Sequence, residues 1–278
     1  MKLRVTVLSD NIAGENLCGE WGLSMYLEYG GTGILLDTGA SSLFAENAEK
    51  LGIDLAAVEF GVLSHAHYDH ADGMATFFER NGTAPFWLRK ECAEDCLSRS
   101  GRKLGMKYIG IRRGTLRAHA DRLRFAEGKE PLCPGVWLLP HRAGEGEPLS
   151  EVGRHAGMYR RRFLRLPVPD DFSHEQTLVL ETERGLAVFS SCSHIGADRI
   201  LTEVAEAFPG KNIALMAGGF HLFRTQEAEV RAFARRVSET GVEKLLTGHC
   251  TGDAAFALLK TELGERIERF RTGFTWEL

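Results

Sequence analysis

The chain has 278 residues, 44% of them hydrophobic, which is enough for one large core or two modest ones and is typical of a globular protein. Its formal net charge of −4 gives the whole chain no long-range attraction for nucleic acid or for an anionic membrane, so we expect neither as a partner. No apolar run reaches the roughly 18 residues of a membrane-spanning helix, and the amino terminus lacks the pattern of a secretory signal, so we expect a cytoplasmic protein.

Hydrophobic periodicity predicts alternating strands and helices along the chain. Residues 2–8 and 23–29 alternate between polar and apolar, as half-buried strands do, whereas residues 58–63 are mostly apolar, as a buried strand is. In chain order the predicted elements are strands at 2–8, 23–29 and 33–37, a helix at 41–52, a strand at 58–63, a helix at 73–80, strands at 85–88, 135–139, 177–182 and 186–190, a helix at 197–207, a strand at 213–216, a helix at 225–239 and a strand at 243–247.

Six of the ten histidines lie just beyond the end of a predicted strand. Layered α/β folds build their sites at strand ends, because side chains from distant parts of the sequence converge there. We therefore expect these six side chains to lie close together. They are His65, His67, His70, His194, His221 and His249.

The densest group of candidate ligands is the segment SHAHYDH at residues 64–70. His65 and His67, at alternate positions of an extended segment, project toward one ion, while Asp69 and His70 at the next turn reach a second. Three imidazoles packed together without a metal would suffer desolvation, and they would repel one another when protonated. The segment therefore predicts a site for two metal ions.

This segment, with Ala71-Asp72-Gly73 after it, resembles the HxHxDHxxG signature of the metallo-β-lactamase superfamily. The resemblance implies an α/β (α+β) fold, an αββα sandwich with the metal site at the sheet edge, in a single domain over residues 1–278. It also implies that Asp37, in Asp37-Thr38-Gly39, orients a metal-bound histidine. His249, on a late strand end, resembles the family's final metal-binding histidine.

The middle of the chain departs from the family pattern, which has a Gly-His-Thr motif and then a strand ending in Gly-Asp, whose aspartate bridges the metals. Here Cys192 stands roughly where that aspartate would be, as a thiolate ligand, a nucleophile or a small core residue. We expect His194 to ligate the first metal, because His65 and His67 need a third protein ligand. This variation resembles a subfamily related to dihydropterin ribofuranosyl-aminobenzene phosphate synthase.

The remaining histidines have different expected roles. His221 is either a metal ligand or a hydrogen-bond donor to substrate, so it joins Asp69 as a catalytic candidate. His174 could replace the missing Gly-His-Thr histidine, but we expect it to be exposed. His119, His141 and His155 lie among arginines and glycines and are expected on the surface.

Residues 89–165 form an arginine-rich segment with little periodicity, which we interpret as an insertion. Its cations are expected to form a solvated face; the alternative is a lid that binds an anionic, phosphorylated substrate through guanidinium groups. Cys92 and Cys96, four residues apart, are expected on a helix. The cations of the segment are Arg99, Arg102, Lys103, Lys107, Arg112, Arg113, Arg117, Arg122, Arg124, Arg154, Arg160, Arg161 and Arg162.

These residues predict a metal-dependent hydrolase with two divalent metal ions. We expect zinc, because mixed histidine and carboxylate ligation suits it, with manganese or iron as alternatives. A metal-activated hydroxide would attack a small anionic substrate, which the resemblance suggests is pterin-like and phosphorylated. The alternatives are a nuclease or phosphodiesterase of the same fold, and a non-hydrolytic iron or redox protein that uses Cys192. The sequence makes no prediction of oligomeric state.

Overall fold

The computed structural model describes residues 1–99, 105–141, 157–161 and 166–278. Its strands form two seven-stranded sheets and one four-stranded sheet. The strands are β1 (Leu3–Ser9), β2 (Ser24–Tyr29), β3 (Thr32–Leu36), β4 (Phe60–Val62), β5 (Phe86–Arg89), β6 (Cys96–Arg99), β7 (Met106–Tyr108), β8 (Leu123–Ala126), β9 (Glu130–Cys133), β10 (Val136–Pro140), β11 (Met158–Arg161), β12 (Pro167–Pro169), β13 (Gln176–Thr182), β14 (Gly185–Phe189), β15 (Ile213–Gly218), β16 (Lys244–Thr247), β17 (Ile267–Arg269) and β18 (Thr275–Glu277). The helices are α1 (Leu43–Lys50), α2 (Tyr68–Ala71), α3 (Met74–Arg80), α4 (Thr115–Ala118), α5 (Ala197–Ala207), α6 (Glu227–Glu239) and α7 (Asp253–Leu263), with 3-10 turns at Leu55–Ala57, His249–Thr251 and Gly264–Arg266.

Each large sheet is antiparallel in one half and parallel in the other. The first has the order β18-β1-β2-β3-β4-β5-β8, and its strands are parallel from β3 onward. The second has the order β17-β16-β15-β14-β13-β10-β9, and β14 to β17 are parallel. Because parallel strands end at the same edge of a sheet, the segments that follow β3 and β4, and those that follow β14, β15 and β16, are brought together.

The pleat of the strands divides the buried side chains into layers. In β3, Ile34 and Leu36 face the core between the sheets, whereas Leu35 packs with α1 and α3 on the outer face. In the second sheet, Phe189 of β14 faces the same central core, and Val188 packs against α5 to α7. The order of layers is therefore helix, sheet, sheet, helix, which confirms the predicted αββα sandwich.

The predicted helices and strands agree with the structure apart from small differences at their ends. The helix at 197–207 coincides with α5, and the helix at 41–52 is shorter, because α1 begins after Ser42 and ends before Leu51. The helix expected around Cys92 and Cys96 is wrong. Cys96 begins β6, which pairs with β7 and β11, so the backbone bonds of that segment go to other strands and not to a helix.

The arginine-rich segment contributes strands to all three sheets. From it, β8 extends the first large sheet, β9 and β10 extend the second, and β6, β7 and β11 form the third with β12. Its residues 100–104, 142–156 and 162–165 lie outside the described residues. That the segment is an insertion stays a prediction. In the described part of the chain, no helix has the length and apolarity that crossing a bilayer requires.

Candidate metal centre

The expected ligands meet at the edge where the parallel strands end. The candidate ligand atoms of His65, His67 and His194 lie within 4.8 Å of one another. Those of Asp69, His70 and His249 form a second such group. The ring centroids of His65 and His70 are 4.2 Å apart, so the two groups adjoin. The structure thus brings together all six residues that the sequence nominated as ligands.

Four buried imidazole nitrogens in this cluster have no hydrogen-bond partner among the described residues. They are the Nε2 atoms of His65, His67, His194 and His249. Leaving a buried polar atom unpaired costs about 1–3 kcal/mol, so four in one cluster call for a ligand that supplies the missing contacts. Imidazole nitrogens beside one carboxylate are a donor set that transition metals accept, so the residues present fit a metal pair.

Hydrogen bonds to Nδ1 set the tautomers of these histidines. The Nδ1–H of His70 donates to Oδ2 of Asp37 (2.8 Å), which leaves its Nε2 lone pair for the centre. The Ser64 hydroxyl donates to the same Oδ2 (2.6 Å) and so accepts from Nδ1–H of His65 (2.8 Å). The Ser64 amide donates to Oδ1 of Asp37 (2.7 Å). Asp37 thereby makes the contacts expected of a residue that orients ligands.

A second set of orienting contacts, which the sequence interpretation missed, holds His249. The Nδ1–H of His249 donates to Oδ1 of Asn11 (3.0 Å), and its backbone N–H donates to Oδ1 of Asp10 (2.8 Å). Burial raises the pKa of Asp10 to about 6, against the opposing effect of its backbone hydrogen bonds. Two polar residues directly after β1, the same position that Asp37 has after β3, were the available signal.

His194 is fixed by a carboxylate and an aromatic ring. Both oxygens of buried Glu175 accept backbone N–H groups, from His194 (2.9 Å) and Ile195 (3.2 Å). The Phe172 ring stacks on the imidazole, with centroids 4.5 Å apart and planes inclined by 3°. The position of His194 beside His65 and His67 is therefore set independently of any ion.

Burial keeps the histidines of the first group neutral. Desolvation, reinforced by neighbouring imidazoles, lowers the pKa of His65 and of His194 well below 6.5 and that of His67 to about 3. Desolvation also lowers the pKa of His249 to about 3. Burial lowers the pKa of His70 too, but the Asp37 carboxylate, together with Asp69 and Cys250, outweighs it and raises that pKa above 6.5. Neutral imidazole is the form that binds metal.

Cys192 lies inside the centre, beside a second thiol. Its Sγ is 3.2 Å from Nε2 of His70 and 3.4 Å from Sγ of Cys250. Burial raises the pKa of Cys192, whereas a nearby cation would act in the opposite direction. The position is compatible with a ligand, and it places Cys192 in contact with the site.

His221 lies at the rim of the cluster. Its ring is 4.4 Å from that of His194 and 5.2 Å from that of Phe223, and it is half-buried. It groups with Cys192 and Cys250 and not with either set of expected ligands. Its Nδ1 is buried without a hydrogen-bond partner among the described residues, so metal ligation and a contact with substrate both stay predictions for His221.

Two histidines expected at the surface are buried, so those predictions are wrong. His174 accepts a hydrogen bond at Nδ1 from the Ala66 amide (3.1 Å), and its Nε2 is 3.2 Å from Oδ2 of Asp170. His141 is buried and pairs with Glu203 (3.1 Å). Glu203 and the Ala66 amide come from segments distant from these histidines, whereas Asp170 lies only four residues before His174. His119 is half-buried against Phe78, and His155 lies outside the described residues.

Backbone strain is concentrated at this centre. In the described part of the chain, six non-glycine residues have positive φ, and five belong to the cluster or contact it. Such conformations cost of order 1–3 kcal/mol each and persist only where the surrounding structure enforces them. The five are Asp37 (58°), Phe172 (49°), Ser193 (52°), His221 (49°) and His249 (45°).

Comparison with known proteins agrees with this geometry. The model of the family described as the metallo-beta-lactamase superfamily matches residues 22–187. A 7,8-dihydropterin-6-methyl-4-(beta-D-ribofuranosyl)-aminobenzene-5'-phosphate synthase from Methanocaldococcus jannaschii is 27% identical over 286 residues, which cover 98% of this chain and 95% of that protein.

Solved structures show the same fold. The crystal structure of Tm1679, described as a metal-dependent hydrolase of the beta-lactamase superfamily, matches with a TM-score of 0.84 and 31% identity over 99% of both chains. A diphosphatase from the PhnP family matches with a TM-score of 0.55 over 100% of this chain and 98% of that one, at 14% identity, which shows the fold alone. These matches confirm the resemblance seen in the sequence. The chain belongs to the metallo-β-lactamase superfamily.

Proposed function

We propose that this protein is a metal-dependent hydrolase that acts in the cytoplasm on a small anionic substrate. In this proposal His65, His67 and His194 hold one divalent metal ion, and Asp69, His70 and His249 hold a second. The observation that carries it is the convergence of four buried, unpartnered Nε2 atoms in one cluster. We expect zinc, with manganese or iron as alternatives, because the donors are mainly imidazoles.

Divalent metal ions held by these residues would supply an acidic water as the nucleophile and would polarise the bond under attack. The chain itself would position the reactants. The indole N–H of Trp21 donates to Oδ2 of Asp69 (2.9 Å), which holds this carboxylate where it can orient the attacking water. His221, at the rim, would donate a hydrogen bond to the substrate. Asp69 and His221 are therefore the proposed catalytic residues.

The rim of the centre suits a small substrate with an apolar or aromatic part. Trp21 is 43% exposed, its ring is 5.2 Å from that of His249, and it packs edge-on against exposed Phe223 (5.4 Å). Exposed aromatic rings beside polar catalytic groups are typical of ligand sites. Because the relative from Methanocaldococcus jannaschii is named as a synthase of a pterin-containing phosphate compound, we propose a phosphorylated, pterin-like substrate. Group transfer to an acceptor other than water is part of the same proposal.

The test combines metal analysis with a substrate screen. His65→Ala and His194→Ala should each lower the metal content by at least one equivalent and abolish turnover, because each removes a proposed ligand. His119→Ala, which removes a half-buried histidine packed against Phe78, is the matched control and should retain both. The screen covers phosphodiesters, phosphomonoesters, thioesters, lactones and RNA.

Unchanged metal content in His65→Ala and His194→Ala would contradict the proposed ligands. Turnover of RNA alone would identify a nuclease. Bound iron without turnover of any compound would favour the redox alternative.

A further inference from the structure

A cavity of about 450 Å³ lies beside the candidate metal centre, and none of the proposed ligands lines it. We propose that it binds the phosphate monoester group of the substrate. This inference rests on the proposed function, because it assigns a position to one part of the substrate of that reaction. The residues that line the cavity are Tyr68, Asp72, Lys107, Tyr108, Gly110, Arg112 and Arg113.

The wall of the cavity is the segment that carries the proposed ligands. Tyr68 stands between His67 and Asp69, and its backbone N–H donates to the Ile109 carbonyl (2.9 Å). His67 also forms a β-bridge with Gly110. Since adjacent Cα atoms are about 3.8 Å apart, the cavity begins one residue from ligands of both metal groups.

The cavity has an excess of positive charge. Lys107, Arg112 and Arg113 line it, and in the described part of the chain no carboxylate lies within the 4.0 Å of an ion pair from any of them. Asp72 is the only carboxylate in the lining, and its Oδ1 accepts the backbone N–H of Arg112 (2.8 Å). Three cations against one carboxylate leave two positive charges, which match the charge of a phosphate monoester near neutral pH.

In the part of the chain that the structure describes, two other arginines of the arginine-rich segment form ion pairs with carboxylates, unlike Arg112 and Arg113. Arg89 forms an ion pair with Glu91 (2.7 Å), and Arg160 pairs with Asp95 (3.2 Å) and donates to the Glu91 carbonyl (2.6 Å). Both are buried and hold the segment together, so for Arg160 the expected solvated face is wrong. Arg112 and Arg113 are exposed, and among the described residues neither forms an ion pair with a carboxylate. Their side chains are therefore available to a ligand.

Aromatic rings position two of the cations. The Arg113 guanidinium lies 4.6 Å from the centre of the Tyr108 ring, and the Lys107 ammonium lies 5.8 Å from that of Tyr68. The Tyr108 hydroxyl donates to the Ile111 carbonyl (2.5 Å), which fixes the ring that supports Arg113. A planar guanidinium held in place matches phosphate oxygens through paired hydrogen bonds.

The experiment measures binding, so that it does not depend on turnover. Phenyl phosphate is titrated calorimetrically into metal-loaded wild-type protein and into the double variant Arg112→Gln/Arg113→Gln. We expect Kd to rise about tenfold or more in the double variant, because charge-assisted hydrogen bonds are lost. The matched control is Arg117→Gln, which removes an exposed arginine of α4 that does not line the cavity and should leave Kd unchanged.

Further arms separate the possible outcomes. Arg112→Lys/Arg113→Lys, which keeps the charge but loses the planar fork, should give an intermediate Kd and supports the assignment independently of any folding defect. A wild-type Kd in the glutamine double variant would place the phosphate at the metals and overturn the inference. If phenyl phosphate binding depends on both arginines but no compound is turned over, the cavity assignment stands and the hydrolase proposal fails. If turnover is found without that dependence, the reverse holds.

Discussion

Asp37→Asn isolates the contribution of orientation to metal binding, because it changes no proposed ligand. The wild-type carboxylate accepts three hydrogen bonds, from the Ser64 amide, the Ser64 hydroxyl and Nδ1–H of His70, at 2.6–2.8 Å. An asparagine has the same size but only one acceptor oxygen. Its NH₂ group must therefore face a donor: the Ser64 amide in one orientation, or the Ser64 hydroxyl and His70 in the other.

The expected magnitude follows from that mismatch. If the NH₂ group faces His70, relief of the clash moves the His70 proton to Nε2, the atom that should bind the second metal. Changes to residues that orient ligands typically lower metal affinity about 10–100-fold, which corresponds to about 1.4–2.7 kcal/mol. We therefore expect a loss of this size for the second metal. The first metal, held by His65, His67 and His194, should be affected less, because only His65 is connected to Asp37, and that connection runs through the Ser64 hydroxyl.

The assay is competition for metal with a chromophoric chelator, with thermal unfolding of the metal-free protein as the check on folding. Glu203→Gln is the matched control, because it makes the same change in a buried histidine–carboxylate pair, with His141, outside the proposed ligand set. The control should bind both metals with wild-type affinity. Equal affinities for Asp37→Asn and wild type would refute the argument that Asp37 sets the tautomer of His70.

Two further predictions concern the thiols and the pH dependence. Cys192→Ser should weaken metal binding, because the Sγ of Cys192 lies 3.2 Å from Nε2 of His70. Cys250→Ser should weaken metal binding less. If Cys192→Ser and wild type compete equally with the chelator for metal, Cys192 is a packing residue and not a ligand. Metal-depleted protein should lose stability as the pH falls below 6.5. In the folded protein His67 and His249 have pKa values of about 3 and stay neutral in that range. In the unfolded chain the same two histidines become protonated, and this stabilises the unfolded state. The unfolding free energy should fall by about 1.4 kcal/mol per pH unit for each histidine, and identical urea denaturation at pH 7.5 and 5.5 would contradict this.

The αββα sandwich could be predicted because the apolar positions of its strands and helices match the layers into which those side chains pack. Residues 33–37 form an apolar strand whose alternate side chains enter different layers, and the helix at 197–207 has an apolar face of matching length. The arginine-rich segment could not be predicted in the same way. Its strands are short, and β6 and β11 pair with each other across about sixty residues as well as with a nearer strand each, so the pattern within each carries little information about pairing.

The orienting residues were predictable only where a motif named them. Asp37 stands in a pattern with a known resemblance, whereas Asp10, Asn11 and Glu175 act through hydrogen bonds to backbone or ring atoms of distant residues. A carboxylate that accepts hydrogen bonds from backbone N–H groups does not change the hydrophobic periodicity of its own segment, so that periodicity cannot predict its role. The same reason explains part of the error for His174, because the Ala66 amide comes from a distant segment, whereas Asp170 lies only four residues before it.

Cys192 and His194 lie beyond the end of β14, where the alternation of side chains along a strand no longer predicts their direction. Along a regular strand, residues two apart share a face, and beyond β14 this would place both side chains on one side. Ser193 between them has a φ of +52°, so the chain is not extended there. One thiol reaches His70 and one imidazole reaches His65 and His67. A single residue in the left-handed region thus separates two side chains that both reach the candidate centre, and this conformation, which costs free energy, is the feature that propensity alone does not predict.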